Sequence, residues 1–270
     1  MSQDFGGGCP RSRGVQLQVL GESSHGIRVY PSAIERPMIR EVGLSIITPV
    51  FRGETTILRM LRSVDAAWRV AAEGGENLKL ELIIVLDGVD PQVAEIIAQF
   101  RPNSGLPIEV ATKEHSGVSA TRNRGLSMAK YTHVTFLDCD DEVTHDRLRW
   151  ASRHESHIVI GLQEVVFDVP APVPAGVVIS SSGEIERSAY IPSLIAPVGR
   201  VLEVDGFDEK LDQAEDLDLL LRLKEAGMEV EFVQEDFVKR HVTGRNISAE
   251  PAKAKAALFR VLRAHKDRKV

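Results

Sequence analysis

The run Gly43 to Phe51, GLSIITPVF, is rich in β-branched apolar residues and never alternates them with charged ones. A strand of that composition must be covered on both faces, which places it in a parallel sheet with helices on either side. The next segments repeat the unit. From Glu54 to Ala72 the apolar positions Ile57, Leu58, Leu61, Val64 and Trp68 recur at helical spacing, and EGGEN ends the pattern. LKLELIIVLDG then reads as a strand, PQVAEIIAQF as a helix opened by Pro91, LPIEVATK as a strand, GVSATRNRGLSMAK as a helix and HVTFLD as a strand. This alternation predicts an α/β fold with a twisted, mostly parallel central sheet flanked by helices. Ligands of such sheets gather beyond the carboxyl ends of the strands. Those ends are here Thr48-Pro49, Asp87-Gly88 and Asp138-Cys139-Asp140.

After Trp150 the alternation loosens. HIVIGLQEVVFDV reads as a strand, PAPVPAG as a surface loop and IERSAYIPSLIAP as a further strand. Glu215, Asp216 and Asp218 precede the helix LLLRLKEAG, which Gly227 stops. MEVEFVQ is expected to be a strand, KRHVTGRNIS a loop, and KAKAALFRVLRAHK a basic helix with Leu258, Val261 and Leu262 on one face. Residues 1–40 mix Gly, Ser, Arg and Pro around one short alternating piece, VQLQVL, and read as a loosely structured extension. The remainder divides into a first half, 41–150, a second half, 151–250, and the basic terminal helix, 251–270.

The chain has 270 residues, 43% of them hydrophobic, enough for a sizeable core. Its 33 Lys and Arg against 39 Asp and Glu give a formal charge of -6, which argues against a nucleic-acid partner. Residues 251–270 carry a formal +6, leaving -12 for residues 1–250. Cys9 and Cys139 lie in unrelated contexts, so no disulfide framework is expected and a reducing compartment is. No stretch is apolar over the length of a membrane span, and MSQDFGGGCPRSRG lacks the apolar centre of a signal peptide. The expectation is a cytoplasmic protein whose membrane contact is at most peripheral.

One feature strains against this ordinary composition. In HVTFLDCDDEVTHDRL the strand stops in Asp138, Asp140, Asp141 and Glu142, with only Cys139 among them. Acids this close repel one another, so a metal ion or the ends of basic side chains are expected beside them. The bland alternative is a solvated turn in which one Asp caps the next helix.

Taken in order over residues 43–248, LSIITPVFRGE, ELIIVLDG, EHSGVSATRNRGLSMA, THVTFLDCDD, VDGFDEKLDQAEDLDLLLRL and KRHVTGRNIS resemble the family 2 glycosyltransferases of the GT-A fold. These enzymes move a sugar from a nucleotide-diphosphate donor to an acceptor. The resemblance implies that 41–150 binds the nucleotide-sugar and that 151–250 binds the acceptor and supplies the base. It makes Asp138 and Asp140 the D-x-D element around Cys139. Asp140 is then the direct ligand of a Mn2+ or Mg2+ ion, and Asp138 faces the ribose or a metal-bound water. By the same resemblance Thr48, Pro49 and Val50 present backbone groups to base and ribose, with Glu54 at the start of the following helix. Asp87 accepts the ring N–H of a uracil, although Leu86 stands where many relatives have a second acid. Arg122 lies beside the nucleotide, and His241 completes the metal shell or approaches the diphosphate. His115 stands where relatives often have Asn and receives no role.

Asp216, paired with Glu215, matches the general base of the inverting members. A carboxylate is suited to that work, because the acceptor hydroxyl must lose its proton as it attacks the anomeric carbon. Acids in a helix's first turn also complement its dipole, which is the plainer reading. The resemblance therefore implies an inverting, metal-dependent transferase using a nucleotide-sugar, with UDP expected. The acceptor stays open among glycan, lipid-linked sugar, protein and small natural product. A sugar-phosphate nucleotidyltransferase is the rival enzyme, but TPVFRGE is not a Gly-rich phosphate loop. The rival of another class is a catalytically silent sugar-nucleotide-binding protein, which would have no use for a base at Asp216.

Overall fold

The computed structural model describes residues 27–30, 40–153, 155–174, 177–211, 213–244 and 251–268. The stretch VQLQVL and most of the expected extension lie outside the described residues. Within that extension, however, Ile27–Tyr30 forms a strand, β1, which corrects the reading of 1–40 as loosely structured throughout.

The expected alternation follows as β2 (Glu41–Val50), α1 (Ile57–Glu73), β3 (Leu80–Asp87), α2 (Pro91–Gln99), β4 (Ile108–Lys113), α3 (Val118–Met128) and β5 (Tyr131–Phe136). Asp90 caps α2 by accepting from the Val93 N–H at 3.0 Å, and Pro91 takes the first helical position, where it has no N–H to waste. The second half runs β6 (Glu142–Val143), α4 (His145–Ala151), β7 (Ile158–Phe167), β8 (Val178–Ile179), β9 (Ile185–Glu186), β10 (Ser188–Ala189), β11 (Ile195–Pro197), α5 (Val198–Glu203), α6 (Glu215–Glu225) and β12 (Val230–Val242), followed by α7 (Pro251–Arg268). IERSAYIPSLIAP is thus no single strand but three short ones and a 3-10 turn. KRHV, expected in a loop, is the end of β12.

Among the described residues both halves share one ten-stranded sheet, ordered β1-β4-β3-β2-β5-β11-β7-β12-β6, with β10 beside β7. The strands from β1 to β5 are parallel neighbours, β11 runs antiparallel to β5 and β7, and β12 pairs with β7 in parallel. Alternate side chains feed opposite layers. Ile46 and Ile84 pack with Ile57, Met60, Leu61 and Val64 of α1, Val93 and Ile97 of α2, and Leu148 of α4. Ile47, Ile83 and Val85 pack with Leu126 of α3, Val198 and Val201 of α5, and Leu219 and Leu223 of α6. Each fully buried aliphatic here contributes about 1.5–3 kcal/mol relative to exposure, so two-sided burial explains the unalternating apolar runs.

α7 lies against α6. Arg268 pairs with Glu225 at 2.7 Å and with Asp218 at 3.6 Å, and His265 also bonds Glu225. Among its described side chains Ala257 and Val261 are buried, while Leu258 and Leu262 are exposed, so the packed face is rotated from the expected one. Among the described residues no helix is long and apolar enough to cross a membrane.

Gly125 sets how closely α3 approaches β2. A Cβ there would stand 2.4 Å from Cγ2 of Ile47, deep in the layer shared by helix and strand. Gly125→Ala is expected to lose about 1–3 kcal/mol by overpacking, read as a lower urea midpoint at unchanged m-value.

Candidate active site

The carboxyl ends of β3, β2 and β5 lie side by side because these strands are parallel and in register, Ile47 opposite Phe136 and Val50 opposite Leu86. The β2–β5 pairing stops at Ile47, and the chain beyond β5 is held by the Leu137 N–H donating to the Ile47 carbonyl at 3.0 Å. Thr48, Pro49 and Val50 therefore have one backbone edge on β3 and the other facing the turn that holds Asp138. All three are buried as whole residues, backbone included. Glu54 lies in the turn before α1 rather than in the helix and is partly buried.

Asp138, Asp140 and Asp141 bring ligand oxygens within 4.8 Å of one another. Burial and the charge of Asp138 push the Asp140 carboxyl up to about 6, and burial with the charge of Asp140 pushes Asp141 well above the usual carboxylate range. Crowded carboxylates that resist ionising together are the donor set a hard divalent cation requires, so the residues fit the implied metal. Cys139 sits between them with its thiol pushed up by burial and by Asp140, and it therefore stays protonated. It packs under Gly53, where a Cβ would come within 3.3 Å of its sulfur.

The turn is braced from three sides. Arg59 of α1 donates to the Asp140 carbonyl at 2.9 Å and to Asp168, just past β7, at 2.8 Å. The His241 N–H donates to Asp141 at 2.9 Å. The His241 ring does not join the three-aspartate group: Nδ1 lies 2.8 Å from Asp168 and Nε2 2.7 Å from Glu142. In this geometry both ring nitrogens lie within hydrogen-bond distance of carboxylates.

Arg122, 3% exposed, joins the two halves. From α3 it donates to Asp138 and to Glu215, each at 2.7 Å. The acid pair expected at the acceptor side thereby lies across one arginine from the D-x-D turn. Asp216 follows Glu215 in the first turn of α6. Its carboxyl is pushed up to about 7, by burial first and then by Glu215, against the lowering effect of Arg122. Ala214, which precedes the pair, has φ 61, and Arg52, which follows Phe51, has φ 55. Left-handed backbone at non-glycine residues costs on the order of 1 kcal/mol each.

Asp87 ends β3 and is 5% exposed. Burial raises its carboxyl, but the Ser116 N–H, Lys113 and the Gly117 N–H outweigh that and hold it below the usual range. Beside it lie two residues to which the sequence reading gave no part: Phe51, half exposed at the end of β2, and His115, whose ring stacks on it at 4.4 Å. An aromatic left exposed at the end of a buried strand, just before Arg52-Gly53, was the available signal. Arg59 and Asp168 carried none, since each acts through a partner distant in sequence.

The Glycosyl transferase family 2 model matches residues 45–173. Hyaluronan synthase of Pasteurella multocida is 26% identical over 226 residues, 80% of this chain and 22% of that protein. The minor teichoic acid biosynthesis protein GgaB of Bacillus subtilis is 32% identical over 124 residues, 43% of this chain and 13% of its own. Crystal structures of Staphylococcus aureus TarS 1-349 share the fold. The complex with UDP superposes with a TM-score of 0.58 at 18% identity, covering 83% of this chain and 65% of that one. The complex with UDP-GlcNAc gives 0.59 at 17%, covering 82% and 65%. Residues 45–173, just under half of the chain, thus resemble the family 2 glycosyltransferases, and the chain has the fold of the TarS structures. It spans only 13% and 22% of the lengths of GgaB and hyaluronan synthase.

Arg122→Met tests the bridge. Removing the guanidinium strands Asp138 and Glu215 without their common partner and is expected to cost about 3–5 kcal/mol in urea unfolding. Adding Glu215→Gln should return part of that loss, which identifies charge rather than packing as its origin.

Proposed function

We propose that this chain is an inverting glycosyltransferase that moves a sugar from a UDP-linked donor to an acceptor hydroxyl. The observation that carries the reading is the Arg122 bridge, because it puts the D-x-D acids and the Glu215-Asp216 pair into one cleft. The TarS structures with UDP and UDP-GlcNAc support a uridine nucleotide as the donor's carrier.

In this reading the base lies beside Asp87, and backbone groups of Thr48 to Val50 line its ribose. Asp140 and Asp138 hold a Mn2+ or Mg2+ ion, which when bound neutralises charge on the diphosphate and makes it a better leaving group. His241, Glu142 and Asp168 keep the turn in place. The acceptor oxygen attacks the anomeric carbon from the face opposite the diphosphate. As that bond forms, the bond from the anomeric carbon to the diphosphate oxygen breaks, its electron pair leaves with the UDP, and the hydroxyl proton passes to Asp216. Glu215, held by Arg122 at 2.7 Å, raises the basicity of its neighbour.

A raised base has a pH signature. Asp216 accepts a proton only when ionised, so kcat/KM should fall as pH drops through about 7 and level off above it. Asp216→Asn keeps the size of the side chain and removes the acceptor of the proton. Turnover should drop by a factor on the order of 10²–10⁴ with UDP affinity nearly unchanged, and normal transfer by this variant would place the base elsewhere.

Asp140→Asn addresses the other end of the cleft. In a thermal-shift titration with UDP and Mn2+, the parent should gain melting temperature from the pair of ligands together. The variant should lose most of that joint gain while melting no lower than the parent without ligand, since the amide relieves a crowded acid. An undiminished joint gain would remove Asp140 from the metal site.

A further inference from the structure

Asp87 presents no vacant acceptor position. Its Oδ1 accepts from Lys113 Nζ at 3.1 Å and the Ser116 N–H at 2.9 Å, and its Oδ2 accepts from the Gly117 N–H at 3.0 Å and lies 2.8 Å from His115 Nδ1. A carboxylate has about four lone-pair sites, and these donors fill them. Any base that bonds Asp87 must therefore displace one. The Ser116 and Gly117 N–H groups belong to the entry of α3 and leave only if that backbone moves. Lys113 is largely buried and also donates to the Glu114 carbonyl at 2.7 Å.

His115 is the exception. Its side chain is 58% exposed, and its ring lies on Phe51 with an interplanar angle of 17°. A planar ring stacked on an aromatic face, with a ring N–H directed at a buried carboxylate, makes the contacts that a uracil with its ring N–H would make there. We propose that His115 is an internal stand-in for the nucleobase: it occupies the base subsite between Phe51 and Asp87 and leaves when the donor's base enters. This rests on the reading of Asp87 as the base-binding acid. The displacement cost falls on every nucleotide alike, so His115 lowers affinity for substrate and product together. Its return to Asp87 would help expel the nucleotide product after transfer.

Calorimetric titration of UDP, and separately of inorganic pyrophosphate with Mg2+, into the parent, His115→Ala and Asp87→Ala tests the proposal. His115→Ala should bind UDP roughly three- to tenfold more tightly, the factor corresponding to one exposed hydrogen bond and one ring stack. Pyrophosphate affinity should not change, which a general loosening of the fold would not reproduce. If Asp87→Ala weakens UDP but His115→Ala leaves it equal or weaker, His115 is a wall of the base site; the stand-in is overturned and the nucleotide reading survives. If Asp87→Ala leaves UDP affinity intact, or UDP binds none of the proteins, the base does not reach Asp87 and both ideas fall.

Discussion

A guanidinium that is 3% exposed between carboxylates at 2.7 Å has lost nearly all of its hydration; Asp138, Glu215 and the face of Phe207, 5.4 Å away, replace it. Burying such a group is expensive, and a well-packed apolar cluster would hold the two halves together at less cost. What the arginine adds is position. It fixes the start of α6 relative to the end of β5, two points 77 residues apart along the chain from Asp138 to Glu215. It also neutralises part of a larger excess of acids, and the raised Asp140, Asp141 and Asp216 are the portion left over. That residue of uncompensated charge is what leaves raised carboxyls on both sides of one arginine.

The scaffold holds these charges through close approach. α3 must bring Arg122 over the sheet, and the missing side chain at Gly125 lets the helix lie against Ile47. The same helix begins at Gly117, whose N–H is bound to Asp87, so one element carries both the arginine of the acidic cleft and a donor to the acid at the end of β3. A shift of α3 would disturb both at once. Packing and electrostatics are in this sense a single constraint, and the core cannot be loosened there without changing the site.

Periodicity made the first half legible because burial on both faces of β2 and β3 leaves almost no choice of residue type. It failed at β12, where Arg240 and His241 are buried although they look like loop residues. Their burial depends on acids elsewhere: His241 on Asp141, Glu142 and Asp168, none of which is near it in sequence. β1 was invisible for a different reason, since the four residues of this edge strand beside β4 are too few to show a period. At the site, Asp138, Asp140, Glu215 and Asp216 stood out as ordered motifs. Phe51 offered only an aromatic at the end of an apolar strand, and its stack on His115, between a strand end and a helix entry, has no one-dimensional pattern.

The contrast extends to the segment between Asp168 and Tyr190. Its Val169, Val173, Val178, Ile179 and Ile185 are exposed, and its regular structure beyond β10 is the two-stranded ribbon of β8 and β9. Few of these side chains are held by the core, so substitutions there cost the fold little. The residues around Asp87 and the D-x-D turn are buried, paired or both, and a change in one disturbs several others. Variation in what such a domain acts on is therefore physically easiest in this exposed segment, which leaves β7 beside Asp168, itself bound to Arg59 and His241.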